Sequence, residues 1–166
     1  MSTKVPLYFL TIPSSDAPPA IRVLAWASFK SDGRYLDPQR VIVDIGTSVS
    51  LIPFKIWGQC VVTREKRGTI YSLVDKTECE VGVTYGKITF SLLDEHDNLL
   101  VKDITIRADL CDTSEMPPLL GWHDFLEKAS FFTNYRTGEA WLEWPDESTG
   151  DEYRQQIDSQ ATINST

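Results

Sequence analysis

The chain has 166 residues, 42% of them hydrophobic, and carries 16 Lys plus Arg against 24 Asp plus Glu, for a formal net charge of −8. That length suits one domain of roughly 100–200 residues with its own core, and a surface field of that sign repels phosphate backbones, so nucleic acid is not an expected partner. No apolar stretch reaches the ~18–20 residues that cross a bilayer, so no membrane partner is expected, and Cys60, Cys79 and Cys111, with no C-x-x-C pair, point to a reducing cytoplasm rather than a disulfide framework.

Residues 1–20 read as an N-terminal arm and linker, in which 5–12 can add an edge strand and the proline-bounded stretch 13–19 cannot join a core. From Ile21 the pattern turns to short β-rich runs. The first, Ile21-Arg22-Val23-Leu24-Ala25-Trp26-Ala27-Ser28-Phe29, meets the turn signal Ser31-Asp32-Gly33-Arg34. The return limb Arg40-Val41-Ile42-Val43-Asp44 is apolar on both faces, as a strand buried between layers must be. In Ser50-Leu51-Ile52-Pro53-Phe54-Lys55-Ile56-Trp57-Gly58, Pro53 suits a first helical position and Gly58 a C-terminal cap, which predicts one short helical turn.

Further strands are predicted over 69–73, 77–93 and 99–108, the last two joined through Glu95-His96-Asp97-Asn98. Trp122, Phe125, Leu126 and Ala129 keep helical spacing, which predicts the one substantial helix over 122–129. A closing hairpin follows over 130–135 and 139–144, turned by Arg136-Thr137-Gly138. The five tryptophans, at 26, 57, 122, 141 and 144, read mostly as core. Residues 21–145 thus form the predicted domain, and 146–166, poor in apolar residues, read as a disordered polar tail.

Chemistry concentrates in Val41-Ile42-Val43-Asp44-Ile45-Gly46-Thr47-Ser48-Val49-Ser50, where a carboxylate ends a buried strand. A carboxyl placed there needs hydrogen bonds or a shared proton. Gly46 lets the chain turn sharply beneath it, and the hydroxyls of Thr47 and Ser48 can orient it. An isolated Asp-x-Gly is often no more than a turn cap, but a second segment accompanies this one, Pro118-Leu119-Leu120-Gly121-Trp122-His123-Asp124-Phe125-Leu126, followed by the closing hairpin.

Together the two segments resemble the retropepsin-type aspartic proteases, the homodimeric family of the retroviral proteases. There a hydrophobic-hydrophobic-x-Asp-Thr/Ser-Gly motif precedes a hydrophobic-hydrophobic-Gly that opens a helix, and the separation of Asp44 from Leu119-Leu120-Gly121 falls in the family's range. The resemblance covers about 21–144. It implies an all-β closed barrel with one short C-terminal helix, acting as a homodimeric endopeptidase on an extended peptide or protein, without metal or cofactor. By the same resemblance Asp44 is the single catalytic carboxylate of each subunit, and Ile45, Gly46, Thr47 and Ser48 form its loop. Leu119, Leu120 and Gly121 form the second loop. Gly68, Thr69, Ile70, Tyr71, Ser72 and Leu73 fall where the family places a substrate-covering flap, with Gly68 as a possible pivot.

Two positions depart from the family pattern. Ile45 stands where the family has Thr or Ser, whose hydroxyl bonds across the dimer, and the stretch from Gly121 to the Phe125-Leu126 pair is one residue longer than the commonest form. Ile45 favours an alternative reading, a retropepsin-fold module that binds peptide or protein without catalysis. His96 and His123 are far apart and in no ligand spacing, so no metal site is expected. His123 beside Asp124 lacks any nucleophile turn to complete a hydrolase triad, and Asn164-Ser165-Thr166 is read as a chance sequon.

Overall fold

Side chains alternate between the two faces of a strand, so runs such as Val41-Ile42-Val43 and Ile104-Thr105-Ile106 send every second residue into a core. The computed structural model describes residues 2–71 and 80–145. Among these lie ten strands: β1 (Ser2–Ile12), β2 (Ala20–Phe29), β3 (Gln39–Val43), β4 (Ser50–Pro53), β5 (Thr63–Tyr71), β6 (Glu80–Leu93), β7 (Leu99–Cys111), β8 (Leu119–Leu120), β9 (Ser130–Asn134) and β10 (Glu139–Pro145). The helix α1 (Phe54–Trp57) is a single turn. The chain is all-β, as its sequence predicts. No helix of the described residues is long and apolar enough to cross a membrane. The predicted polar tail, 146–166, lies outside the described residues.

The strands run β5-β6-β7-β4-β8-β3-β2-β1-β10-β9, and a further pairing of β2 with β6 closes β2-β3-β8-β4-β7-β6 into a ring. Two pairings in the ring are parallel, β3 with β8 and β4 with β7. Inward-facing Val41, Val43, Ile52, Ile88, Phe90, Ile106, Leu110 and Leu120 are buried. An aromatic chain runs on from them, Phe29 to Phe90 to Phe125 to Trp144, with centroid separations of 5.6, 5.8 and 5.6 Å. Each such ring, taken out of water, contributes roughly 1.5–3 kcal/mol.

Four expectations need correction. The edge strand expected over 5–12 is part of the longer β1, which lies between two strands: it pairs with β10 through Ser2 to Leu7 and with β2 through Tyr8 to Ile12, and Val5 and Leu7 are buried. That the segment forms a strand was legible, but not that its two halves find different partners. The helix predicted over 122–129 is a run of turns ending in a 3-10 turn, Leu126–Lys128. The cause is Asp124, which takes φ +60° and accepts hydrogen bonds at Oδ2 from the N–H and Nε of Arg107 at 3.1 Å each. A tertiary contact thereby outbids helical spacing, and Trp122, placed in the core by that spacing, is instead 48% exposed. The α-helical turn sits earlier, at α1, where Pro53 is the N-cap rather than the first helical residue and Gly58 is the C-cap.

The remaining punctuation follows the sequence. Gly33 (φ +68°) and Gly138 (φ +74°) take the left-handed conformation in the two predicted hairpin turns. The strand predicted over 69–73 starts earlier, at Thr63, and β7 continues past Ala108 to Cys111.

Candidate active site

The parallel β3–β8 pairing fixes where Asp44 stands. Ile42 N–H donates to Pro118 O and Asp44 N–H to Leu120 O, both at 3.0 Å, so the end of β3 is held by the strand that precedes Gly121. The chain then turns at once. Gly46 N–H donates to Asp44 Oδ1 at 2.8 Å and Thr47 Oγ1 to Asp44 Oδ2 at 3.0 Å, so each carboxylate oxygen accepts one local donor. A Cβ at Gly46 would sit 3.2 Å from Asp44 Oδ1, tighter than ordinary contact. Asp44 itself is only half-buried and keeps an open side.

The second segment grips this loop through its main chain. Trp122 N–H donates to Thr47 O at 2.8 Å and His123 N–H to Ser48 O at 2.9 Å, while Gly121 N–H donates to the buried hydroxyl of Ser50 at 2.9 Å. Approach this close requires glycine at 121: a Cβ there would meet Thr47 O at 2.6 Å and Val49 C at 3.0 Å. The structure therefore brings together Asp44, Gly46, Thr47, Ser48, Leu119, Leu120 and Gly121. Of the two hydroxyls expected to orient Asp44, that of Thr47 reaches it, whereas Ser48 contributes its carbonyl to the second segment. Ile45 projects from the loop at 63% exposure. Ser50 is a site residue that the sequence reading missed; its signal was a hydroxyl inside the otherwise apolar run Ser50-Leu51-Ile52-Pro53.

The residues read as a flap lie on the β5–β6 hairpin, with Gly68 paired to Val83, Thr69 to Gly82, Ile70 to Val81 and Tyr71 to Glu80. Ser72 and Leu73 lie outside the described residues. Gly68 stands within this ladder, just past the register shift between Arg64 and Arg67. A Cβ there would come within 2.6 Å of the Tyr85 ring, so its missing side chain makes room for that ring. Asp112 N–H donates to Gly82 O at 2.9 Å, and Arg67 pairs with the Asp112 carboxylate, fastening β5 and β6 to the end of β7.

His123 lies beside Glu127, its Nδ1 3.9 Å from Glu127 Oε2, with the histidine side chain 58% exposed and the glutamate 36%. Burial works against the charged form of Asp124, yet the N–H and guanidinium of Arg107 outweigh it and hold that carboxyl below the usual range. The pair is structural, holding the turn after Gly121 against β7.

No family model and no curated protein matches the chain. Among solved structures it is similar to a retropepsin-like aspartic protease from Rickettsia conorii, at 12% identity and a TM-score of 0.39, over 87% of this chain and 96% of that one.

Proposed function

We propose that two copies of this chain form an aspartic endopeptidase of the retropepsin type, each contributing Asp44. The observation that carries the reading is the Asp44 loop itself: a carboxylate at the end of a core strand, with one local donor on each oxygen, an open side, and a second glycine-bearing segment locked against its main chain. That arrangement holds an acid in place while leaving it free to work.

One chain supplies one such loop, so the site is complete only in the dimer. Two carboxyl groups brought close together cannot both ionise and share one proton. The ionised member takes a proton from a water molecule, which attacks the scissile carbonyl, while the protonated member donates to the carbonyl oxygen. Gly46 N–H and Thr47 Oγ1 stay bonded to the carboxylate and fix its orientation. The β5–β6 hairpin, with Gly68, Thr69, Ile70 and Tyr71, closes over an extended substrate held by main-chain hydrogen bonds.

The deciding experiment measures binding of a pepstatin-type hydroxyl peptide together with peptide cleavage at mildly acidic pH, in wild type and in Asp44→Asn. Both are expected in the wild type. Cleavage should vanish in Asp44→Asn with the melting temperature kept, and cleavage that survives the substitution refutes the role of Asp44. The exposed Ile45 favours a second reading, a peptide-binding module without turnover, because isoleucine cannot form the hydroxyl clamp between two loops. Peptide binding without cleavage by any chain carrying Asp44 would select it.

A further inference from the structure

Residues paired in register across a sheet share a face, and one such row crosses five strands beside Asp44. Ile42 pairs with Leu119, Leu119 with Leu51, Leu51 with Asp109, and Asp109 with Tyr85. Asp44 lies two residues beyond Ile42, so strand alternation turns it toward the same face. The neighbours on the opposite face, Val41, Val43, Leu120, Ile52, Ala108 and Leu110, are all core. The row therefore lies on the side of the ring where a substrate reaching Asp44 would lie.

Within that row Asp109 is out of character. It is 6% exposed, and among the described residues its Oδ1 is buried and meets no hydrogen-bond donor. Arg107, the next side chain along the same face of β7, has its Nε committed to Asp124. Lys66 sets its Nζ over the Tyr85 ring, 5.4 Å from the centroid. A buried carboxylate without a counter-charge is among the costlier groups a fold can carry. Its position on the substrate face supplies a reason for keeping it.

Resting on the peptidase reading above, we propose that Asp109 is a specificity residue, and that the substrate is an extended peptide carrying a Lys or Arg side chain that docks against it. The half-buried Leu51 and Leu119 would take the aliphatic stem of that side chain, and Asp109 its charged head. Tyr85, its register partner, stands on β6 of the β5–β6 hairpin, so the same hairpin that would cover an extended peptide borders Asp109. Three strand spacings of ~4.8 Å separate Ile42 from Asp109, the span of about four extended residues, which places the basic residue within about four positions of the scissile bond. The net charge of −8 draws cationic peptides toward the molecule as well.

The test is cleavage profiling of the full chain on a positional-scanning peptide library, in wild type, in Asp109→Asn, which keeps the shape without the charge, and in Asp109→Glu. At one position the wild type should prefer Lys or Arg over norleucine by roughly tenfold or more in kcat/KM. That ratio should collapse toward unity in Asp109→Asn and recover in part in Asp109→Glu. Cleavage with no basic preference, a preference that Asp109→Asn retains, or a preference for Asn and Gln instead would each overturn the proposal. Binding of non-hydrolysable reduced-amide peptides, carrying Lys or norleucine at each position in turn, separates this inference from the enzymatic one. A basic preference in binding that Asp109→Asn abolishes, with no cleavage of any peptide, sinks the peptidase reading and upholds the docking role of Asp109. Absence of binding to every peptide overturns both.

Discussion

Gly121→Ala tests the interlock between the two loops most directly. The added methyl would lie 2.6 Å from Thr47 O and 3.0 Å from Val49 C, and both are main-chain atoms of the Asp44 loop, so no side-chain rotation relieves the contact. Either the 119–123 segment retreats or the loop does. Overpacking of this kind costs about 1–3 kcal/mol, and stretching the bonds from Gly121 N–H to Ser50 Oγ and from Trp122 N–H to Thr47 O adds about 0.5–1.5 kcal/mol for each one weakened. With both bonds weakened the total is about 2–6 kcal/mol, which at roughly 2–4 °C per kcal/mol for a chain of this size lowers the melting temperature by about 4–24 °C. Thermal denaturation gives the first number, and binding of the hydroxyl peptide reports the displacement of Asp44. A variant that melts within about 2 °C of wild type and binds that peptide equally well would show that the loops are not locked as described.

Phe125→Ala removes the centre of the aromatic chain between Phe90 and Trp144 and should cost about 3–5 kcal/mol in urea denaturation; a loss below 1 kcal/mol on that scale would mean that the ring is not a core element. Burial raises the Asp109 carboxyl above its unfolded value, so the stability it contributes is complete below the unfolded value and is lost as pH rises through the folded one. Asp109→Asn should therefore gain on wild type as pH rises above the ordinary carboxylate range, and a stability difference that stays constant as pH rises contradicts burial as the cause. Ile45→Thr, at an exposed position, should change the unfolding free energy of the single chain by no more than about 0.5 kcal/mol. A restored hydroxyl clamp should tighten the dimer in sedimentation by about 0.5–1.5 kcal/mol per new hydrogen bond, and a looser, less active dimer would identify the isoleucine as an apolar substitute for the clamp.

What the sequence made legible was local. Short β-rich runs broken by turn signals located β2, β3, β6, β7 and the closing hairpin, because both signals are written in consecutive residues. Gly33, Gly138 and Gly58 marked their turns and cap for the same reason. The misjudged helix at 122–129 shows the limit of such signals. Its apolar spacing was correct for a helix, and its 3-10 turn does bury Leu126, but the side chain of Asp124 is held by Arg107 on β7 and its backbone takes a positive φ. Residues 2–12 fail in the same direction: one strand reads alike whether it has one neighbour or two, and only the closing hairpin decides that β1 has β10 beside it.

The candidate site divides along that line. Asp44, Gly46 and Thr47 were readable because the carboxylate finds its donors two and three residues onward, within a single turn. Gly121 was readable only through its resemblance to a family motif, since the reason for a glycine there is the main chain of residues 47–49. Asp109 carries no motif, and in sequence it is one polar residue in a strand that alternates apolar with polar, the pattern of an ordinary solvated face. Its distinction comes from register: β4 and β6 flank β7 so that Leu51 and Tyr85 stand on either side of that carboxyl, and the face that alternation marks as outward is covered at this one point. A residue whose chemistry is set by its cross-strand neighbours stays hidden until the pairing is known. A loop built within one turn can therefore be read from a sequence, while the surroundings of a side chain set across strands cannot.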